Sequence, residues 1–297
     1  MRRTVLILLA AGAAFAQPPV DNVLVKMVPP GTTSLVGAHM NRIEATEFYR
    51  KLVEQQKLPS VDQFALETGF DPRRDVREVL YASSLLGSVM LARGTFTIRH
   101  IPQSAKVVRH GEYNVQTFGD HGFCILDRTL AAAGDLKMVE AALDEWKSGR
   151  HNTARPLLAQ AGGIDRASQF WGVSTGFAGF LADHMPRSSS GIDFSRIFNG
   201  LSDTWFDAAF TTGFKGQIHG MSNTDQDAIN LRDAAKGLIG FGRLSVPENQ
   251  PEMLKLWDGI TVEQEGRTIW IKANIPQTMI DGLVRLMQSA NRVGRGR

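Results

Sequence analysis

Residues 122–146 read GFCILDRTLAAAGDLKMVEAALDEW, and a similar unit returns at residues 266–287 as GRTIWIKANIPQTMIDGLVRLM. Each opens on a short apolar strand and continues into an amphipathic helix; in the first, Met138, Val139, Ala142, Leu143 and Trp146 recur at helical spacing. A unit that comes back in this way predicts a chain of two halves with related plans. Other short stretches match in the same order. Leu35-Val36-Gly37-Ala38 aligns with Phe170-Trp171-Gly172-Val173, and Gly69-Phe70-Asp71 with Arg74 aligns with Gly191-Ile192-Asp193 with Arg196. Met138-Val139-Glu140-Ala141 aligns with Met279-Ile280-Asp281-Gly282.

Between these anchors the first half predicts a strand at Thr32–Ala38, then a helix capped by Asn41 that carries Ala45, Phe48, Tyr49, Leu52 and Val53 on one face. A short helix at Ser60–Gly69 follows, then strands at Val79–Ser84, Val89–Ala92 and Thr95–Ile98. A hairpin at Tyr113–Phe118 and Phe123–Leu126 turns on Gly119-Asp120-His121-Gly122, and Asp135 is placed to cap the closing helix. The second half predicts a strand at Gln169–Val173, a helix at Phe177–Met185 and a hairpin at Thr204–Thr211 and Phe214–Met221. A helix from Asp225 to about Ile239 then runs into glycines, followed by a hairpin at Ile260–Glu263 and Thr268–Ile271 and a helix at Gln277–Met287. The expected fold is α+β: two diverged repeats, each an antiparallel sheet with helices packed on one face, spanning residues 17–150 and 151–288. The polar stretch KSGRHNTARP at 147–156 is the linker, and the helix at Asp225 has no counterpart in the first half. Whether the two sheets join is left open by the sequence.

The ends of the chain differ from its body. Arg2 and Arg3 precede an apolar run from Val5 to Phe15, and Ala14-Phe15-Ala16 is a small-x-small cleavage site before Gln17. Residues 1–16 therefore read as a signal peptide, with Arg2-Arg3 loosely fitting a twin-arginine signal, and the expected location is periplasmic or extracellular. No later window stays uncharged for the ~20 residues of a membrane span, and no cysteine at the cleavage region offers a lipid attachment point. The formal net charge is +3, of which Arg2 and Arg3 supply two and Arg292, Arg295 and Arg297 of the basic tail at 289–297 supply three, so the body carries a small negative balance. That excludes a nucleic-acid surface, which needs a clustered basic face. Cys124, the single cysteine, sits in an apolar run and reads as a small buried hydrophobe.

The export signal, the Pro-Pro-Gly-Thr entry at Pro29–Thr32, the Leu35-Val36-Gly37 strand and the Gly-Phe-Asp-Pro turn at Gly69–Asp75 resemble a family of exported bacterial proteins of unknown function built from tandem α+β repeats. The resemblance spans most of the mature chain and implies an envelope protein. It supplies no catalytic residues.

One motif invites an enzymatic reading. Gly172-Val173-Ser174-Thr175-Gly176 is a literal G-x-S-x-G with a strand before and a helix expected after it, the setting of a nucleophile elbow. A serine hydrolase would use Ser174 with His219 and Asp207 or Asp203, since His184 falls in the adjacent helix. Against it, the repeat sets Gly172 opposite Gly37, where no serine follows, so a strand-to-helix turn explains the glycine. The chain also lacks alternating parallel strand and helix units.

Asn223-Thr224-Asp225-Gln226-Asp227 begins like a calcium loop, but Ala228 and Ala234 stand where glycine and glutamate are required, and a capping box at Thr224 and Asp227 accounts for the same residues. Gly237, Gly240 and Gly242 lack the lysine of a phosphate loop and read as a fraying helix end. His39, His100, His110, His121, His151, His184 and His219 show no metal-ligand spacing. Trp146, Trp171, Trp205, Trp257 and Trp270 could line a sugar cleft, though most fall in core patterns; Trp257 is the one least expected to be buried. The expected function is a non-catalytic binding or structural module of the bacterial envelope, with no cofactor or metal and an envelope protein or ligand as partner. The alternative is the serine hydrolase.

Overall fold

The computed structural model describes residues 20–50, 62, 65–66, 70–97, 106–149, 155–161, 164–165, 167–176, 200–248 and 252–282. The signal segment, the basic tail, most of the expected helix at 60–69 and all of that at 177–185 lie outside them. The strands form one antiparallel sheet. They are β1 (Ser34–His39), β2 (Val76–Ser84), β3 (Gly87–Gly94), β4 (Lys106–His110), β5 (Tyr113–Phe118), β6 (His121–Asp127), β7 (Leu130–Asp135), β8 (Phe170–Thr175), β9 (Leu201–Phe210), β10 (Gly213–Ser222), β11 (Ile260–Glu265) and β12 (Thr268–Pro276). The helices are α1 (Asn22–Val25), α2 (Met40–Glu44), α3 (Glu47–Tyr49), α4 (Pro72–Asp75), α5 (Leu136–Ser148), α6 (Arg155–Ala161), α7 (Asp225–Leu244) and α8 (Glu252–Asp258), and the chain is helical again over 277–282.

The sheet has twelve strands in the order β11-β12-β10-β9-β8-β1-β2-β3-β7-β6-β5-β4. Near its centre β1 pairs with β8, from Ser34 opposite Ser174 to Ala38 opposite Phe170. This seam joins the stretches 17–150 and 151–288 into one sheet. Moving outward, β2, β3 and β7 follow on one side and β9, β10 and β12 on the other.

Because strand side chains alternate between faces, the register sorts every residue to one side. Leu35, Leu80, Leu91, Ala132, Trp171 and Val173 share the face on which α1, α5 and α6 pack, through Leu24 of α1, Met138, Val139, Ala142 and Leu143 of α5, and Leu157 and Ala161 of α6. Each large apolar side chain buried there contributes about 1.5–3 kcal/mol. Helix α5 ends at Gly149, whose φ of 65° supplies the left-handed C-terminal residue. On the other face, Phe70, Ala92, Phe96 and Ala131 form a smaller cluster. Helix α7 packs there as well: its Arg232 reaches Gln264, which is in register with the buried Ile269. Helices thus cover both faces of the sheet, whereas one face was expected.

Several local expectations need correction. Residues 95–97 are not a strand; Thr95 N–H donates to Asp75 O and Phe96 N–H to Arg128 O. Strands β4 and β7 and helices α6 and α8 have no counterpart in the sequence reading. Asn41 lies within α2, whose N-cap is His39. Asp135 occupies the N-cap position of α5 without capping it, because its Oδ2 accepts instead from Ser88 N–H at 2.6 Å. Helix α7 continues through Gly237, Gly240 and Gly242 to Leu244 instead of breaking there. A Cβ on Gly242 would fall on the Trp257 indole, so the glycine seats α8 against α7, and Trp257 is half-buried. The capping box is as expected, with Asp227 N–H donating to Thr224 Oγ1 at 3.1 Å.

Candidate functional site

The structure does not bring Ser174 and His219 together. Ser174 is internal to β8 and 2% exposed, and its hydroxyl shares a 2.7 Å hydrogen bond with that of Ser34 across the central seam. The register runs from Ser174 through Thr204 to Gly220, about two inter-strand spacings or ~9.6 Å away. His219 is the next residue along and therefore faces the opposite side of the sheet, where its ring stacks on Trp205 at 4.7 Å and meets Trp270 edge-on at 5.3 Å. Burial holds its pKa below the usual histidine value, so the ring is neutral at pH 7. Asp207 is buried and accepts from Ser168 Oγ at 2.7 Å, while Asp203 accepts from Gln160 Nε2 at 2.8 Å. Neither carboxylate is partnered to His219, and the elbow's exposed hydroxyl on a sharp turn is missing.

Gly37 lies under the Trp171 indole on one face of the sheet, and Gly172 lies under the Phe206 ring on the other. Both are close-approach positions within strands. The turn glycine of the motif is Gly176, at φ 78°.

A charged cleft of about 410 Å³ opens where β1 ends and β2 begins. Its floor is a row of three side chains in register, His39 of β1, Glu78 of β2 and Arg93 of β3. The lead-in before α1 closes over this row. Asp21 donates its N–H to Glu78 Oε1 at 2.8 Å, accepts from Arg93 Nε at 3.0 Å and caps α1 by accepting from Val23 N–H at 2.8 Å. His39 Nδ1 stands 3.6 Å from Glu78 Oε1. Arg42, Arg77, Asn41, Gly94 and Thr129 complete the lining. Burial pushes the Glu78 carboxyl above its ordinary pKa; the Asp21 charge adds to that, while the Asp21 N–H, Arg42 and Arg93 oppose it. Thr129, the one hydroxyl among the cleft residues, accepts from Arg93 and donates to Asp127.

Sequence reasoning noted His39 only as one of several histidines and passed over Asp21 and Glu78. A signal existed: in VREVLYASS, Glu78 falls in step with Leu80 and Ala82, on the alternation that faces the core. Its partners stand far off in sequence, and only the sheet register aligns them. The remaining candidates are placed elsewhere. His110 contacts Asp144 at 2.8 Å and His121 lies 3.5 Å from Asp135; His100, His151 and His184 are outside the described residues. Among the described residues no group of three His, Cys, Asp or Glu side chains is set to hold a metal ion. Trp171 is core, Trp146 packs against the core, and Trp205 and Trp270 flank His219. Cys124 is fully buried, and burial pushes its thiol up to about 11. No helix among the described residues is long and apolar enough to cross a membrane.

No protein-family model matches the chain, and no curated protein matches it. Among solved structures it is similar to TP0453 in three crystal forms. Form III gives a TM-score of 0.49 at 7% identity, covering 88% of this chain and 97% of that one. Form I gives 0.49 at 8% over 89% and 96%, and form IV gives 0.47 at 7% over 91% and 99%. Likeness at this level carries neither family nor function to this chain.

Proposed function

We propose that this is an exported, non-catalytic binding module of the bacterial envelope, built from two diverged α+β repeats, whose ligand is a small organic anion held in the cleft at the ends of β1–β3. Export rests on the leader at 1–16, and duplication rests on the matched stretches and on strands that follow one another in like order outward from the β1·β8 seam. The observation that carries the binding reading is the cleft itself. Asp21 and Arg93 neutralise each other, and Arg77 lines the cleft beside Glu78, whose carboxyl burial inclines to hold its proton. A guanidinium group in a concave polar site suits a carboxylate, phosphate or sulfonate group.

The experiment is isothermal titration of the mature chain, starting at Gln17, with ethanedisulfonate, whose charge does not change with pH. Arg77→Ala should weaken binding five- to tenfold, about 1–1.4 kcal/mol. Affinity should fall as pH rises above the ordinary glutamate value, because Glu78 then acquires the ligand's own sign of charge. The part of the decline that belongs to Glu78 is the part absent in Glu78→Gln. Unchanged affinity in Arg77→Ala, or no heat of binding in the wild type, would sink the reading. Recovery of the protein in the envelope fraction with Gln17 at its N-terminus checks the export step.

A further inference from the structure

The strands on the far side of the seam carry a second feature that the cleft does not use. On β9, β10, β12 and β11 the register places Trp205, His219, Trp270 and Glu263 in one row. The next row on the same face is Asp207, Gln217, Lys272 and Thr261. On this face α6 reaches as far as β9, where Gln160 donates to Asp203, while α7 covers the reverse side of the same strands. The three rings are half-buried, with Trp205 packed against the core, and the rows open to solvent at their outer end, where the Lys272 and Glu263 side chains are 45% and 56% exposed. An ordinary solvated sheet face is polar throughout. Here two tryptophans and a neutral histidine stand in line across three strands, in ring-to-ring contact over about 10 Å.

We infer that the Trp205–His219–Trp270 strip, with the Gln217, Lys272 and Glu263 side chains beside it, binds a neutral glycan chain laid across β9, β10 and β12. Trp205 and His219 are stacked on each other, so their exposed edges and the Trp270 ring meet the C–H surfaces of the pyranose rings, and the amide, ammonium and carboxylate at the side offer hydrogen bonds to hydroxyl groups. The charges decide against other occupants. Lys272 Nζ lies 2.6 Å from Glu263 Oε2, and Asp207 is the remaining acid, so there is no basic excess for a nucleic acid or polyanion. The rings are bordered by polar side chains, which gives no aliphatic patch for a lipid surface. The backbone groups of these paired strands are used in the ladder, so an extended peptide lying on the face would gain no strand pairing.

The test is titration of the mature chain with cellohexaose and, separately, chitohexaose, read by calorimetry and by tryptophan fluorescence. At least one should bind with a saturable fluorescence change. A response to cellohexaose identifies a plain β-linked glucan face, and a response to chitohexaose alone identifies an N-acetylated amino-sugar chain. Trp270→Ala should weaken binding at least tenfold and Lys272→Met about threefold, both with wild-type far-UV circular dichroism. Arg77→Ala, in the cleft, should leave glycan binding unchanged, which separates this inference from the anion reading. Absence of binding to both sugars overturns it. So does wild-type affinity in Trp270→Ala or, should that variant fail to fold, in Lys272→Met.

Discussion

Ser34 and Ser174 face each other near the centre of the sheet, and each hydroxyl is the other's partner in a buried site. Their value is structural, and it has a measurable signature. Removing the Ser174 hydroxyl strands that of Ser34, at about 1–2 kcal/mol, whereas removing Ser34 leaves Ser174 its bond to the Thr175 carbonyl, and removing both leaves nothing unsatisfied. Ser174→Ala should therefore lower stability by that amount and Ser34→Ala by less, and the double variant should lose clearly less than the sum. Urea denaturation of the four proteins closes the cycle; strictly additive losses would contradict the pairing. The same scale accounts for the quiet chemistry of Cys124, whose buried thiol at about 11 supplies no thiolate at neutral pH. It also explains why Asp135 fails as a helix cap. Its carboxylate is drawn to the N–H of Ser88 at the β2–β3 turn, a partner that sequence spacing cannot reveal.

At the scale of elements, β7 is the instructive case. Its core, Leu130-Ala131-Ala132-Ala133-Gly134, favours a helix by intrinsic propensity. It is a strand because β3 and β6 hydrogen-bond to it on both edges and α5 lies over the face that carries the buried Ala132. Gly134 marks the tightest point. Its φ is 151°, and an added Cβ would fall on Ser88 O and stand 2.9 Å from Val89 Cα. Gly134→Ala should cost about 2 kcal/mol or more, since both the backbone angle and the space are wrong for a side chain. A urea midpoint indistinguishable from the wild type would refute that account. Helix α5 was legible because its four buried residues fall on one stripe. Helix α7 was legible at its capped start and misread at its end, because Gly242 was taken as a breaker when it makes room for Trp257.

At the scale of the molecule, the β1·β8 seam makes two similar stretches into one sheet. Leu35 and Gly37 of β1 pack with Trp171 and Val173 of β8, so each half supplies part of the other's core. Residues 17–150 expressed alone would expose the β1 edge together with the apolar surface around Leu35 and Leu80. Such a fragment should self-associate through β1 or aggregate. Size-exclusion chromatography of a folded, monomeric 17–150 fragment would show that the seam is dispensable. The outer edges of the sheet behave differently. Strand β4 carries Lys106 and Arg109, and β11 carries Glu263 and Glu265, charges that discourage further strand addition.

The amino-acid order by itself determined the α+β class, the hairpins at 204–221 and 260–271, the stripe of α5 and the capping box of α7. Each is set by neighbours within a few residues, where periodicity and turn chemistry act directly. Tertiary structure alone decided that the strands form one sheet, that helices lie on both faces, and that Ser174 and His219 are kept apart by the alternation of side chains. It also assembled the Asp21–His39–Glu78–Arg93 cleft and the Trp205–His219–Trp270 strip. Both are rows across strands, and the identity of a row depends on register between segments distant in the chain, which no local pattern encodes.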